Sequence, residues 1–251
     1  MITEKILGMK VNPLTYSFAV NQIEQWLKEK TSRFVSIAAV NNIVCALRDP
    51  QLMQIENTAD MVTTDGMPLV WILKSRGHKD CERVYGPTLM LKILKMAERE
   101  QFPSFFYGCT DEILVTLTNN LKSQFPKLRV AGTFAPPYRT LSEEENNRIV
   151  DHINLSGARL VWVGLSTPKQ EQWMYYNKNK IKNCVLLGVG AAFLFHAGKV
   201  KQAPAILQKL GLEWLFRLTM EPRRLWRRYI WGNFYFIWKL ILSKEFFVKT
   251  L

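Results

Sequence analysis

Cysteine is scarce in this chain, and the cysteines that occur are not paired in sequence. The four are Cys45, Cys81, Cys109 and Cys184, far apart and without any C-x-x-C spacing. Clustered cysteines would be needed for a typical zinc site or for a disulfide framework. The sequence therefore predicts neither, and it favours a reducing, cytosolic compartment.

Long apolar runs are also missing. The first residues, MITEKILGMKVNPLT, contain no apolar run behind a basic start, so we expect no cleaved signal peptide. The longest apolar stretch, Tyr229 to Leu242, is interrupted by Gly232, Asn233 and Lys239. Because a membrane-spanning helix needs roughly 20 apolar residues, we expect that the chain does not cross a membrane.

Several motifs of nucleotide and metal chemistry do not occur. The sequence has no G-x-G-x-x-G, no G-x-x-x-x-G-K-[ST], no D-x-D and no H-x-x-H. These absences argue against a dinucleotide fingerprint, a P-loop and a metal-held diphosphate, so we predict no cofactor and no metal. The negative charge of any leaving group would then be balanced by helix N-termini and by Arg or Lys side chains.

Positive charge, in contrast, is abundant. The 251 residues carry a formal net charge of +13 with a pI near 9.7, and 48% of them are hydrophobic. The hydrophobic fraction can build the core of one α/β domain, with or without an appendage. The charge indicates an anionic partner: a phosphate ester, a nucleic acid or an acidic lipid.

Short apolar runs alternate with longer amphipathic ones up to about residue 200, which is typical of a parallel sheet flanked by helices, the α/β class. Strands are predicted at Phe34–Ala39, Asp60–Thr63, Ser104–Tyr107, Leu128–Gly132, Arg159–Val163 and Cys184–Val189. Helices are predicted at Pro13–Lys30, Pro50–Asn57, Pro68–Ser75, Thr88–Glu100, Asp111–Phe125 and Ser142–Leu155, the last with a capping box from Ser142 to Glu145 and a stop at Gly157.

The alternation ends near Pro204, so we predict an α/β core over residues 1–200 and a basic, aromatic, helical C-terminal appendage over residues 201–251. Its segment EPRRLWRRYIWGNFYFIW, Glu221 to Trp238, is both cationic and aromatic. Nucleic-acid signatures are absent, so we expect no nucleic-acid partner. Docking on an anionic membrane suits the composition, and a contact in a homo-oligomer would use the same residues.

Three strand ends carry candidate sites. In VWVGLSTPKQEQWM a strand ends at Gly164, Thr167 is predicted to cap a helix that opens at Pro168, and Gln170 completes a capping box. Lys169 adds a charge for a diphosphate, although an ordinary capped helix would look the same. In VTTDGMPLVW, Asp65 follows a strand and could deprotonate a hydroxyl, although Asp-Gly is also a common turn pair.

Glycines mark the third strand end, GVGAAFLFHAG, where Gly188 and Gly190 would let a nucleotide approach the backbone closely.

Taken together, the blocks TADMVTTDGMPLVW, ERVYGPTLM, GTFAPPYRTLSEEE, VWVGLSTPKQEQWM, GVGAAFLFHAGKVKQAP and GLEWLFRLTMEPRRLWRRY resemble the WecB/TagA/CpsF (also WecG/TagA) family of bacterial glycosyltransferases. The resemblance implies a Rossmann-like core and a metal-independent, inverting transfer from a UDP-sugar to an undecaprenyl-diphosphate-linked saccharide in surface-polysaccharide synthesis. It also implies an appendage that brings the enzyme to the inner face of the cell membrane and closes the active site.

The resemblance further implies that Asp65 is the general base. Substrate contacts are predicted at Asn41, Arg83, Gly108, Tyr138, Gly164, Pro168, Lys169, Gln170, Gly188, Gly190, Arg217, Arg223, Arg224 and Arg227. The chain departs from the family pattern at Ala39, Thr88 and Leu194. Because fold does not fix function, a non-catalytic nucleotide-sugar sensor or scaffold at the membrane stays open as an alternative.

Overall fold

The computed structural model of the protein, which describes residues 1–243, contains a two-stranded hairpin and a six-stranded parallel sheet. The sheet has the order β4-β3-β8-β7-β5-β6. The strands are β1 (Glu4–Ile6), β2 (Met9–Val11), β3 (Arg33–Ala38), β4 (Met61–Thr64), β5 (Ser104–Gly108), β6 (Val130–Phe134), β7 (Leu160–Gly164) and β8 (Val185–Gly188).

Helices connect and flank these strands, as the predicted α/β class requires. They are α1 (Tyr16–Glu29), α2 (Val40–Arg48), α3 (Pro50–Thr58), α4 (Met67–Ser75), α5 (Gly86–Glu100), α6 (Asp111–Gln124), α7 (Glu143–Leu155), α8 (Lys169–Asn177), α9 (Ala192–His196), α10 (Ala205–Lys209), α11 (Glu213–Met220), α12 (Pro222–Trp226) and α13 (Gly232–Ser243). A π-helical turn, Arg227–Trp231, joins α12 to α13. The predicted parallel sheet flanked by helices is thus confirmed.

The chain folds into two compact units. The first comprises residues 1–15, 37–85 and the segment from Lys201 onward. It holds the β1–β2 hairpin, in which Leu7 and Gly8 have φ of 51° and 83°. Two successive positive φ values are the geometry that a tight two-residue hairpin turn requires.

The second unit comprises residues 16–36 and 86–200. Its strands β5, β7 and β8 are buried along their whole length. Helices cover both faces of such strands, which explains why SFFYG, LVWVG and VLLG read as continuous apolar runs rather than alternating ones. Helix α1 buries Ala19, Ile23, Trp26 and Leu27, the i, i+4, i+7, i+8 stripe of an amphipathic helix.

Most predicted elements are confirmed, but some of the predicted boundaries were wrong. Strand β6 runs over Val130–Phe134 instead of Leu128–Gly132, because Leu128 is buried in the preceding turn and the pairing of β6 with β5 shifts register between Ser104 and Phe105. The short hairpin strands and α2 were not predicted. Helix α1 begins at Tyr16 rather than Pro13.

The predicted capping box at α7 is confirmed. The Ser142 hydroxyl accepts from the Glu145 N–H at 3.1 Å, and the Ser142 N–H donates to the Glu145 carboxylate at 2.9 Å. Gly157, with φ of 69°, follows the end of the helix as predicted. Division into a core and an appendage stays a prediction, and the last eight residues of that appendage, 244–251, lie outside the described residues.

Candidate functional site

Asp65 lies directly after strand β4, whose four residues are all buried. Its backbone N–H donates to the carbonyl of Ala38 at 2.8 Å, which fixes the turn, and Gly66 then caps helix α4. The side chain of Asp65 is 21% exposed. The turn therefore holds the carboxylate at a strand end, where it is partly reachable from solvent, as the sequence predicts.

The guanidinium of Arg83 joins two carboxylates. Its Nη2 donates to Asp65 Oδ1 at 3.2 Å and to Glu213 Oε2 at 2.5 Å, and its Nε donates to the Asp65 carbonyl. The guanidinium also lies over the Tyr85 ring, 4.3 Å from its centroid. Two predicted site residues, Asp65 and Arg83, are thus brought together, and Glu213 and Tyr85 join them. We call these four residues the acidic-arginine cluster.

Electrostatics keep two members of this cluster in fixed protonation states. Burial alone would lower the pKa of Arg83, but the Asp65 and Glu213 carboxylates more than offset this and raise it. Burial, together with the same two carboxylates, raises the pKa of Tyr85 well above its ordinary value. Arg83 therefore remains a cation and Tyr85 a neutral phenol at physiological pH.

Helix α8 begins differently from the prediction. Pro168 is its N-cap rather than its first helical residue, and no side chain caps the helix. The Thr167 hydroxyl lies 3.0 Å from Glu171 Oε1 and donates to that carboxylate instead of accepting from the backbone. The predicted Thr167–Gln170 capping box is therefore wrong, because both side chains bind other groups.

Gln170 instead faces strand β8. It is 3% exposed, and its Nε2 donates to the Gly188 carbonyl at 3.1 Å and to Glu171 Oε1 at 2.9 Å. Its Oε1 is buried and has no hydrogen-bond partner within the described residues. A Cβ placed on Gly190 would lie 3.4 Å from that oxygen. A Cβ on Gly188 would lie 2.7 Å from Met174 Cε and 3.0 Å from Gln170 Nε2, so this glycine allows the amide to pack against the end of β8.

The predicted glycines of β5 and β7 lie against one another. Gly108 has φ of 128°, and a Cβ built on it would lie 2.7 Å from the carbonyl of Gly164. A Cβ on Gly164 would in turn lie 2.6 Å from the Phe193 ring. These two glycines are required for close packing, which is the role the structure gives them.

Lys169 and Tyr138 are also brought together. The Lys169 ammonium lies over the Tyr138 ring, 5.1 Å from its centroid, and Tyr138 is fully exposed. Asn41 lies half-buried in the first turn of α2, while its neighbour Asn42 is buried and donates to Glu56 at 3.0 Å.

The predicted arginines of the C-terminal segment have different surroundings. Arg217 is half-buried in α11. Arg223 is exposed, Arg224 pairs with Glu221 at 2.6 Å, and Arg227 lies 5.3 Å from the centroid of the Trp226 ring.

Sequence reasoning missed two charged residues of the same unit. Burial lowers the pKa of Arg228, and the nearby guanidiniums of Arg217 and Arg224 lower it further. Glu213 was missed because it lies 130 residues from Arg83 in the chain, so no local pattern marks their contact.

Within residues 1–243, no group of three or more His, Cys, Asp or Glu side chains is arranged to hold a metal ion. None of the helices in the same range is both long enough and apolar enough to cross a membrane.

Several known proteins that resemble the chain share one name. The chain is 27% identical over 212 residues to a protein of Bacillus spizizenii named N-acetylglucosaminyldiphosphoundecaprenol N-acetyl-beta-D-mannosaminyltransferase, covering 84% of this chain and 80% of that protein. Proteins of the same name from Staphylococcus aureus (strain MW2) and Bacillus subtilis (strain 168) are 26% and 23% identical, covering 88% and 91% of this chain and 86% and 87% of those proteins.

A family model described as the glycosyl transferase WecG/TagA/CpsF family matches residues 4–249. That match includes the acidic-arginine cluster and the strand ends at Gln170 and Gly188. The chain therefore belongs to the WecG/TagA/CpsF family of glycosyl transferases.

Proposed function

We propose that this protein is an inverting, metal-independent glycosyltransferase that moves a sugar from a UDP-sugar to an undecaprenyl-diphosphate-linked saccharide. The observation that carries the proposal is the partly exposed Asp65 carboxylate at the end of β4, in contact with Arg83. The relatives are named for the transfer of N-acetylmannosamine to N-acetylglucosaminyldiphosphoundecaprenol. UDP-N-acetylmannosamine is accordingly the first donor to test, and surface-polymer synthesis is the proposed pathway class.

Asp65 acts as the general base in this proposal. Its carboxylate takes the proton from the acceptor hydroxyl while that oxygen attacks the anomeric carbon on the face opposite the nucleotide. The bond from the anomeric carbon to the UDP oxygen breaks, UDP leaves with the electron pair, and the configuration inverts. Positioned proton transfer of this kind contributes about 10²- to 10⁴-fold to a rate.

Arginines supply the charge that a metal ion supplies in other enzymes. Arg83 stays protonated, and the guanidiniums of Arg217, Arg224 and Arg228, which lie close enough together to influence the pKa of Arg228, suit a diphosphate group. Fixed cations next to developing negative charge lower a barrier most where water is excluded. We propose that Arg83, Arg217, Arg224 and Arg228 stabilise the diphosphates of the substrates, the leaving UDP included.

Gln170 is proposed to recognise the donor. Its buried amide oxygen has no partner within the described part of the chain, and the neighbouring residues Gly188 and Gly190 present backbone instead of side chains. A buried acceptor without a donor costs free energy that a ligand hydroxyl or N–H can recover. Donor specificity would follow from that hydrogen bond.

Helix α13 is proposed to dock the protein on the inner face of the cell membrane. Its residues Phe234, Ile237, Trp238, Ile241 and Leu242 are 63%, 55%, 47%, 64% and 60% exposed. Their i, i+3, i+4, i+7, i+8 spacing places them on one side of the helix, and we call them the exposed stripe. An exposed apolar stripe of aromatic and aliphatic side chains next to arginines suits the headgroup region of an anionic membrane.

A donor screen tests the transferase. Purified protein in detergent is given a lipid-diphosphate N-acetylglucosamine acceptor and a panel of UDP-sugars, with and without EDTA, and UDP release is followed. We expect release that requires both substrates, that EDTA leaves unchanged and that Asp65→Asn removes. Donor binding without release from any UDP-sugar would contradict the transferase and favour the sensor. Loss of release in EDTA would contradict metal independence alone.

A further inference from the structure

A cationic groove lies beside the exposed stripe. It has a volume of about 520 Å³ and is lined by Arg48, Arg227, Trp231, Phe234, Tyr235 and Trp238. Arg48 is the last residue of α2, and the other lining residues come from the π-helical turn and α13. Helix α13 packs on α2. The groove therefore combines a residue far from the C-terminus with the most aromatic segment of the chain.

The charge of this groove has one sign. Its lining, as described, includes two guanidiniums and no carboxylate, and Lys239 lies over the rings of Tyr235 and Trp238 at 5.6 and 5.3 Å. The nearest acid in sequence, Asp49, caps helix α3 by accepting from the N–H groups of Gln51 and Leu52. An anion bound to this lining would meet cations and no like charge.

The shape of the groove specifies more than an anion. The Arg48 guanidinium is held over the Tyr235 ring, 4.9 Å from its centroid, which orients its N–H groups. Phe234 and Trp238 belong both to the lining and to the exposed stripe. The occupant should accordingly be amphiphilic, with an anionic head for the arginines and an apolar part that continues along the stripe.

We propose that this groove binds the phosphate headgroup of an anionic membrane lipid, with Arg48 and Arg227 as the phosphate-binding cations. The proposal rests on the membrane docking proposed for the exposed stripe and adds a selectivity to it. The stripe supplies apolar contact with any bilayer, whereas the groove makes the attachment depend on lipid charge. Through Arg48, helix α2 takes part in membrane recognition together with the C-terminal segment.

Vesicle sedimentation tests the groove with the full-length protein. Binding is compared between phosphatidylcholine vesicles and vesicles in which about 30% of the lipid is phosphatidylglycerol, chosen so that the surface is strongly anionic. We expect Arg48→Gln to weaken binding to the anionic vesicles about fivefold, as for removal of one basic side chain near such a surface. Binding to phosphatidylcholine should not change.

The matched control is Arg129→Gln, which removes the same charge from an exposed residue of the other unit and should leave both affinities unchanged. Equal binding of Arg48→Gln and the unaltered protein to anionic vesicles would overturn the proposal, as would equal losses for both arginine variants.

Further variants separate this inference from the proposals on which it depends. Ile241→Asp should weaken binding to both kinds of vesicle, since it places a charge on the exposed stripe. If Ile241→Asp weakens binding in this way while Arg48→Gln still prefers anionic vesicles as the unaltered protein does, the membrane docking is supported and the lipid-phosphate groove is wrong. UDP release with a short-chain acceptor in detergent should be unchanged in Arg48→Gln, because Arg48 has no proposed part in the transfer. The transferase assay and the vesicle assay therefore test the two proposals separately.

Discussion

The residues that follow β4 differ in kind from those that follow β7 and β8. After β4, Asp65 is held in an ion-paired cluster with Arg83 and Glu213. After β7 and β8, glycine backbone and the buried amide of Gln170 lie next to each other. Ionised groups suit proton transfer and charge stabilisation, whereas small residues and a fixed amide suit recognition of shape. We therefore propose catalysis for the first region and donor recognition for the second.

The largest expected effect is that of Asp65→Asn, which tests the catalytic side of the comparison. The amide keeps the shape of the side chain but cannot accept the acceptor proton, so kcat should fall about 10²- to 10⁴-fold. Donor affinity, measured by calorimetry, should change little. A variant that retained most of its turnover would remove Asp65 from the role of base.

Gly108→Ala tests whether glycine is required for packing at the end of β5. The added Cβ would lie 2.7 Å from the Gly164 carbonyl at a φ of 128°, so we expect a loss of about 3 kcal/mol in the free energy of unfolding. Gly77→Ala is the control, because Gly77 has φ of 104° but nothing within 4 Å of a new Cβ. Gly77→Ala should lower the free energy of unfolding by only about 1 kcal/mol, the cost of an unfavourable backbone conformation. Equal losses for the two variants in urea titrations would show that no steric clash occurs at Gly108.

Gln170→Met tests the recognition side. Methionine fills a similar volume, but it removes the donor to Gly188 and Glu171 and the acceptor proposed for the ligand. We expect about a tenfold weaker donor affinity, with kcat at saturating donor reduced far less. Gln124→Met, at an exposed helix end, is the matched control. A large fall in kcat at unchanged donor affinity would reverse the assignment.

The smallest effect is expected for Glu213→Gln, which tests whether the Arg83–Glu213 ion pair contributes to catalysis. The substitution would leave Arg83 with Asp65 as the one remaining carboxylate of the acidic-arginine cluster, and kcat should fall about threefold to fivefold through altered positioning. Glu221→Gln removes an acid of the same segment that pairs with the local Arg224 and should have no such effect. Identical kinetics for the two variants would show that the Arg83–Glu213 pair has no part in turnover.

Local patterns predicted the elements well where burial or capping determines them. The fully buried strands β5, β7 and β8 follow from their apolar runs, and the α7 capping box follows from Ser142 and Glu145. The β1–β2 hairpin was missed because three-residue strands carry little periodic signal. Helix α2 was missed because Ala39 at its N-cap gives no capping signal, whereas Asp49 and Pro50 mark the start of the equally short α3.

The site was predicted only in part, and for a physical reason. Asp65 and Arg83 could be found because each lies in a recognisable local motif. The start of α8 was wrong because the capping signal T-x-x-Q describes only local hydrogen bonds, whereas Thr167 and Gln170 bind Glu171 and Gly188. Glu213 depends on tertiary contact across 130 residues, which no local pattern describes.

The long sequence separation within the acidic-arginine cluster has a consequence for synthesis of the protein. Ribosomes release a chain from its N-terminus, so Asp65 and Arg83 emerge well before Glu213, their partner from the last fifth of the 251 residues. A nascent or prematurely terminated chain would hold the carboxylate and guanidinium without the second acid. The charge pattern around Asp65 is therefore completed only when the C-terminal segment has emerged, which ties assembly of the cluster to synthesis of nearly the entire polypeptide.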